Sequence, residues 1–367
     1  MQVPYVDLGA QWEDIRTEVL SEIDAVLKSG QYLDHPIIEK LEERLSVELG
    51  IARCVCVNSG TDALLLALHV LGIGKGDEVI TVPNSFVASV AAIEHIGATT
   101  RFADVGPDHL IDVDSVESMI GPRTAAIMPV HLEGKVCNLT RLRRICDKHG
   151  LKLIEDAAQA IGASSDGVVP SQLSDIACFS LHPLKNLNGC GDGGFVSSGD
   201  ATILNRIKAL RNHGQKQRNL TEEFGYVSRM DSLQAAVISY RLTRLHGVIA
   251  RRRHLADVYR RSLSYSKETQ QPILCTNVFH TYHLYVVEVP RRNFVAQVLA
   301  NAGIETRIHY PRLISEQPAF VAKYGEISSQ TPNALKQCKQ ILSLPIHQHL
   351  SDRQVEYVAE VLCTAYE

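Results

Sequence analysis

The 367-residue chain lacks any long apolar run, and no window approaches the roughly 18 apolar residues of a membrane-spanning helix. Its opening stretch, residues 1–11, has no basic segment followed by an apolar one, so the sequence predicts a cytoplasmic protein with no membrane partner. An excess of positive charge is missing too. With 37 basic and 41 acidic residues the net charge is −4, whereas general nucleic-acid binders and polybasic membrane-surface proteins run basic, so nucleic acid is not an expected partner. The nine cysteines form no C-x-x-C pair and are odd in number and scattered, which argues against a disulfide or zinc scaffold. They read as buried small apolar residues in a reducing compartment. Internal repeats, low-complexity tracts and long linkers are absent as well. What remains is a chain that is 45% apolar and 21% charged, long enough to bury its core without staples and suited to small-molecule chemistry.

From Ile51 to about Ser198, short β-branched runs alternate with stretches of helical period. Strands are predicted at 54–58, 78–82, 99–102, 124–130, 151–155, 176–181 and 194–197, with helices at 62–71, 85–96 and 138–149. That alternation implies an α/β fold with a mostly parallel central sheet. Before it, two amphipathic helices at 12–28 and 37–48 flank Gly30 and a turn at 34–36, and should pack outside the sheet. After Gly199, helices are expected at 201–212, 231–245, 249–262, 291–301 and 355–365, with a strand at 280–289. The region from about Gly247 onward reads as a smaller α+β domain.

Three segments could carry chemistry. Asn58-Ser59-Gly60-Thr61-Asp62 follows a strand and opens a helix, where free N–H groups and the helix dipole favour an anion. Ser, Thr and Asp cap helices everywhere, so alone the segment reads first as a cap; no G-K-[ST] follows, which leaves a triphosphate P-loop unsupported. Glu155-Asp156 ends an apolar strand, and the carboxyl ends of parallel strands face the ligand crevice, which places Asp156 where chemistry could occur; a helix cap is the other reading. A divalent-metal site there lacks further acidic partners. Lys185 lies between a strand and the glycine-rich run Gly189–Gly194, where a desolvated lysine can form a Schiff base, although a single lysine is ordinarily a surface charge.

Histidine pairs at 280/283 and 347/349 have no Cys or carboxylate at zinc-like spacing, and in a strand residues three apart point to opposite faces, so no metal is expected. Arg251-Arg252-Arg253 reads as a solvated helix face.

Taken in order, Ser59-Gly60-Thr61-Asp62-Ala63-Leu64, Gly74-Lys75-Gly76-Asp77-Glu78, Glu155-Asp156-Ala157-Ala158-Gln159, His182-Pro183-Leu184-Lys185-Asn186, Gly191-Asp192-Gly193-Gly194, Arg211-Asn212-His213-Gly214 and His309-Tyr310-Pro311 resemble the DegT/DnrJ/EryC1/StrS sugar aminotransferases over nearly the whole chain. The resemblance implies the aspartate-aminotransferase fold (fold type I) and pyridoxal 5′-phosphate, with residues 1–246 as a large cofactor-binding domain and 247–367 as a small one. By that likeness Lys185 forms the Schiff base and shuttles the proton, and Asp156 faces the pyridine nitrogen. It also implies that Gln159 lies near the ring hydroxyl, that Gly60, Thr61 and Ser180 cradle the phosphate, and that Phe86 stacks on the ring. The implied reaction moves nitrogen from L-glutamate to a keto group on a nucleotide-linked sugar in a homodimer. Lys at position 185, rather than the His of the family's dehydratase branch, favours transamination.

The chain departs from the family pattern at two positions. Val227 stands where many members carry the Asn that reaches the neighbouring subunit's phosphate, and Glu133 stands where relatives often carry Tyr. Glu133 is therefore expected near the substrate mouth, together with His309 and Tyr310, and the acceptor could instead be a small phosphorylated or cyclitol ketone. Gly191-Asp192-Gly193-Gly194 is similar to members acting at C-3. A non-catalytic sensor of amino sugars on the same fold is the third reading, against which the intact Lys185, Asp156 and Gln159 argue.

Overall fold

A computed structural model describes residues 1–33 and 35–366. Each of the seven predicted sheet strands is present: β1 (Cys54–Val57), β2 (Glu78–Thr81), β3 (Thr99–Phe102), β4 (Thr124–Ile127), β5 (Lys152–Asp156), β6 (Ile176–Ser180) and β7 (Gly194–Ser197). They form one sheet in the order β1-β7-β6-β5-β4-β2-β3. Pairing is parallel from β3 through β6, while β7 runs antiparallel to both β1 and β6.

Both faces of the sheet are covered, and the two-residue alternation of the strands assigns each side chain to one of them. Helices α1 (Leu8–Ser29) and α2 (Ile37–Leu49) lie before the sheet in sequence; α3 (Gly60–Val70), α4 (Ala88–His95), α5 (Val113–Ser118) and α6 (Leu139–His149) alternate with its strands. Helix α7 (Ala201–Leu210) follows the last strand. Leu64, Ile93 and Ile207 from α3, α4 and α7 pack on Val55, Ile154 and Cys178. On the other face Leu41 and Leu45 of α2 meet Phe179 and Phe195, whose rings stack at 4.4 Å.

The long helix α8 (Ser232–Ser262) corrects the expectation of two helices separated near Gly247. Its first half packs on the sheet through Ile238 and Leu242, and its second half enters another core through Leu255 and Tyr259. A single interior glycine costs about 1 kcal/mol of helix stability, which burial along both halves outweighs. In that second core, β8 (Tyr285–Glu288) pairs antiparallel with β9 (Ile341–Leu344), flanked by α9 (Arg292–Asn301) and α12 (Asp352–Thr364). Two short helices, α10 (Pro318–Tyr324) and α11 (Pro332–Cys338), precede β9. The strand expected at 280–289 starts at Tyr285; residues 280–284 form a loop in which Tyr282 has φ of 46°.

The chain start is tied to this core, since Val3 exchanges backbone hydrogen bonds with Gly303 and Glu305. The cysteine expectation holds for Cys54, Cys56, Cys137, Cys146, Cys178 and Cys338, but Cys190 and Cys275 are exposed. Asp34 of the predicted turn lies outside the described residues.

Candidate active site

A cavity of about 420 Å³ opens at the carboxyl ends of the parallel strands. It brings together Gly60, Thr61, Phe86, Asp156, Gln159, Ser180, Lys185, His309 and Tyr310. Of the expected site residues, only Glu133 does not line it.

Asp156 and Glu155 are neighbours at the end of β5, so their side chains leave opposite faces. Glu155 is wholly buried, where it accepts from the Ser171 N–H (2.7 Å), His131 Nε2 (2.6 Å) and the Ser174 hydroxyl. The Cys137 N–H donates to Nδ1 of His131, so that ring carries its proton on Nε2. Glu155 is thereby committed to the protein interior. Asp156 faces the cavity instead, oriented by the Ser89 hydroxyl at 2.6 Å and the Ala158 N–H at 3.2 Å.

Lys185 sits in the turn after β6, its backbone N–H bonded to the His182 carbonyl at 2.8 Å. Burial pushes its amine down to about 8, against the opposing pull of Asp156. Among the described residues no carboxylate lies within ion-pair distance of it. A lysine amine that is partly neutral near physiological pH, lining a cavity, is a competent nucleophile and base.

At the start of α3 the Ser59 hydroxyl takes the Asp62 N–H at 3.0 Å, leaving the N–H groups of Gly60 and Thr61 pointing out of the helix end. Ser180 lies directly against this turn. A Cβ at residue 60 would fall 2.8 Å from the Ser180 Cβ, so only glycine fits there. Gly194 of β7 is held to glycine similarly, because its Cβ would meet the Ser59 carbonyl at 2.5 Å. Two free amides, a hydroxyl and a helix dipole make an anion cradle, the part of the anticipated motif that by itself read as a cap.

Gln159 reaches the cavity with its amide fixed: Oε1 accepts the Glu133 N–H and Nε2 donates to the Tyr310 hydroxyl. The Glu133 side chain does not line this cavity but a small pocket it shares with Gln159, His309 and Tyr310. It is buried between Lys135 Nζ at 2.7 Å and His109 Nδ1 at 2.6 Å. Burial opposes its ionisation, yet these two cations hold the carboxyl well below the usual range. His109 bonds Glu288 of β8 through its other nitrogen, at 3.1 Å.

Phe86, half exposed at the rim, and Tyr310 place their ring centroids 5.9 Å apart. His309 bonds Ser343 of β9 at 2.9 Å, and burial pushes its imidazole down to about 4.

Sequence reading missed Tyr5, Arg252, His283 and His347, all of which line the cavity. Tyr5 and Arg252 sit in no local pattern that signals a ligand, and His283 and His347 were weighed only as members of metal-ligand pairs. Arg252 corrects the reading of residues 251–253 as a solvated face: it is buried and donates to three backbone carbonyls. His280 stacks on Tyr282 at 3.8 Å, and His347 bonds the Pro4 carbonyl.

The residues fit pyridoxal phosphate: an anion cradle at the start of α3, an unpaired lysine amine, a carboxylate, and a donor amide around one cavity.

Residues 13–363 match the DegT/DnrJ/EryC1/StrS aminotransferase family. The erythromycin biosynthesis sensory transduction protein EryC1 of Saccharopolyspora erythraea is 39% identical over 363 residues, 99% of either chain. The dTDP-3-amino-3,4,6-trideoxy-alpha-D-glucose transaminase of Streptomyces venezuelae is also 39% identical, over 98% of this chain and 95% of its own. Among solved structures, S. venezuelae DesV in complex with ketimine intermediate is similar with a TM-score of 0.95 at 39% identity, covering 98% of this chain and 97% of that one.

Proposed function

The chain belongs to the DegT/DnrJ/EryC1/StrS aminotransferase family and is a pyridoxal 5′-phosphate-dependent aminotransferase; from that premise we propose that it carries an amino group from L-glutamate to the C-3 keto group of a nucleotide-linked sugar. The observation that carries this reading is the unpaired Lys185 amine in one cavity with Asp156 and the free amides of Gly60 and Thr61. The C-3 assignment is supported by the 3-amino product in the name of the S. venezuelae transaminase.

Pyridoxal phosphate, when bound, supplies an electron sink that stabilises negative charge at the carbon losing its proton. Asp156, oriented by Ser89, would hold the protonated ring nitrogen of the cofactor. Gly60 and Thr61 would hold the phosphate with their N–H groups, aided by Ser180, and Phe86 would shield the ring at the rim. Lys185 Nζ takes the proton from the donor's α-carbon and returns it to the adjacent centre, a shuttle favoured by an amine pKa of about 8. Gln159, its Oε1 held by the Glu133 N–H, would offer its Nε2 donor to the ring oxygen. His309 and Tyr310 border the substrate side.

The proposal includes a cytoplasmic homodimer with residues 1–246 as the cofactor-binding part and 247–367 as the smaller part, joined by the continuous helix α8. Exposed apolar side chains at and near the cavity rim, Phe86, Val87 and Leu184, support a second subunit there. No helix among the described residues is long and apolar enough to cross a membrane. The case for a cyclitol or small phosphorylated ketone rested partly on Glu133, whose carboxylate is engaged elsewhere. EryC1 carries a regulatory name, but a sensor has no use for a proton-shuttling amine.

The test supplies 15N-labelled glutamate with dTDP- and UDP-linked 3-keto sugars and a cyclitol ketone, and follows 2-oxoglutarate and the label. Label in a 3-amino sugar supports the reading; label in a cyclitol amine alone, or in no product, contradicts it.

A further inference from the structure

The three consecutive arginines of α8 have different surroundings. Arg251 pairs with Asp352 at 2.7 Å, and Arg253 bonds the His280 carbonyl at 2.9 Å with its guanidinium 4.3 Å above the Phe279 ring. Arg252 turns inward and is 6% exposed. Its Nη1 alone donates to the carbonyls of Tyr282 (3.0 Å), His283 (3.3 Å) and Ile346 (2.8 Å), while its Nε is buried without a hydrogen-bond partner. No acidic side chain among the described residues pairs with it. Burial lowers its pKa to about 10, so it remains a cation at neutral pH.

A buried cation without a counter-ion is costly, and carbonyl dipoles offset only part of the desolvation. The wall around it supplies no compensating charge. Burial lowers the pKa of His283 and of His347, the latter to about 4, so both rings are neutral near pH 7. His283 and Arg252 line the same cavity as Lys185. The cavity thus has two places for negative charge, the amides at the start of α3 and Arg252.

We propose that the Arg252 guanidinium receives a carboxylate of the amino donor, and of the 2-oxo acid it becomes, orienting the donor's amino group toward Lys185. The inference rests on the aminotransferase reading and deepens it. A carboxylate suits the wall better than the sugar nucleotide's diphosphate does. One planar guanidinium flanked by neutral rings matches a single planar monoanion, whereas a strongly hydrated diphosphate calls for several cations. The three carbonyls held by Nη1 fix the guanidinium in place, and with Nε buried it is Nη2 that is left for the ligand.

The experiment compares wild type with R252Q and R252K. KM values are measured separately for glutamate and for the keto sugar, and calorimetry follows binding of succinate, which cannot react. R252Q is expected to raise the glutamate KM and the succinate dissociation constant at least about tenfold more than it raises the keto-sugar KM, with R252K recovering part of the loss. A larger effect on the keto sugar, or equal effects on both substrates with unchanged succinate binding, overturns the proposal. If R252Q does not fold, a wild-type crystal soaked with 2-oxoglutarate decides: a carboxylate within hydrogen-bond distance of the guanidinium supports the site, and one placed elsewhere refutes it. A wild type that binds succinate in an Arg252-dependent way, yet transfers nitrogen from no amino acid, leaves the anion site standing and removes the functional reading.

Discussion

The backbone N–H of Glu133 donates to Oε1 of Gln159 at 2.8 Å, and this bond settles which end of the Gln159 amide meets the cavity. With the oxygen taken, Nε2 is the free end, and it reaches the Tyr310 hydroxyl at 3.3 Å. The residue that departs from the family pattern therefore acts through its main chain, while its carboxylate serves Lys135 and His109.

Gln159→Glu puts an acceptor where Nε2 donates and sets it against the Glu133 network only a peptide away. It is expected to weaken pyridoxal phosphate retention about tenfold, the scale of one charge-influenced hydrogen bond. Cofactor dissociation constants measured by dialysis check this; retention equal to wild type means that the donor role is wrong.

Cofactor uptake should depend on pH through Lys185. Its amine must be neutral to attack an aldehyde, and burial lowers its pKa from 10.5 to about 8 in the cofactor-free protein. The rate of pyridoxal phosphate uptake, followed by absorbance, should climb through about pH 8 and then level. A rate still climbing steeply above pH 9.5 would mean the amine is not desolvated.

His109 contributes stability with the opposite dependence on pH. Burial lowers its pKa, but Glu133 and Glu288 outweigh burial and raise it from 6.5 to about 9. Its charged-pair contribution is fully present below the unfolded value near 6.5 and is lost as pH rises through about 9. His109→Gln should therefore lower the thermal midpoint clearly at pH 6 and by much less at pH 10. Equal losses at both values would show that the imidazole acts by packing alone.

Gly247, inside α8, has no described atom outside its own stretch of helix within 4 Å of where a Cβ would stand. Gly247→Ala should stabilise the protein by about 0.5–1 kcal/mol by removing backbone freedom from the unfolded chain. Urea unfolding monitored by circular dichroism tests it, and a destabilised variant would point to a required bend at that residue.

The parallel sheet was legible because its strands are buried on both faces and read as compact apolar runs, such as Cys54–Val57 and Ile176–Ser180. Asp156 and Lys185 were legible because they follow such runs at the carboxyl edge. Ile341–Leu344 escaped notice, as four apolar-rich residues before a proline carry no period that separates strand from helix. Tyr5, Arg252 and His283 escaped for a different reason: they come from the chain start, a helix interior and a loop, and only tertiary packing joins them. The triplet at 251–253 misled because charge composition carries no information about which of three adjacent arginines turns inward.

The most direct test of the Lys185 assignment is borohydride reduction of the purified holoenzyme followed by peptide mass mapping. Reduction should bleach the visible band and leave the pyridoxyl group covalently on the peptide containing Lys185, with Lys185→Ala retaining no such adduct. A pyridoxyl adduct on a different lysine, or an equal yield of adduct in Lys185→Ala, would contradict the assignment.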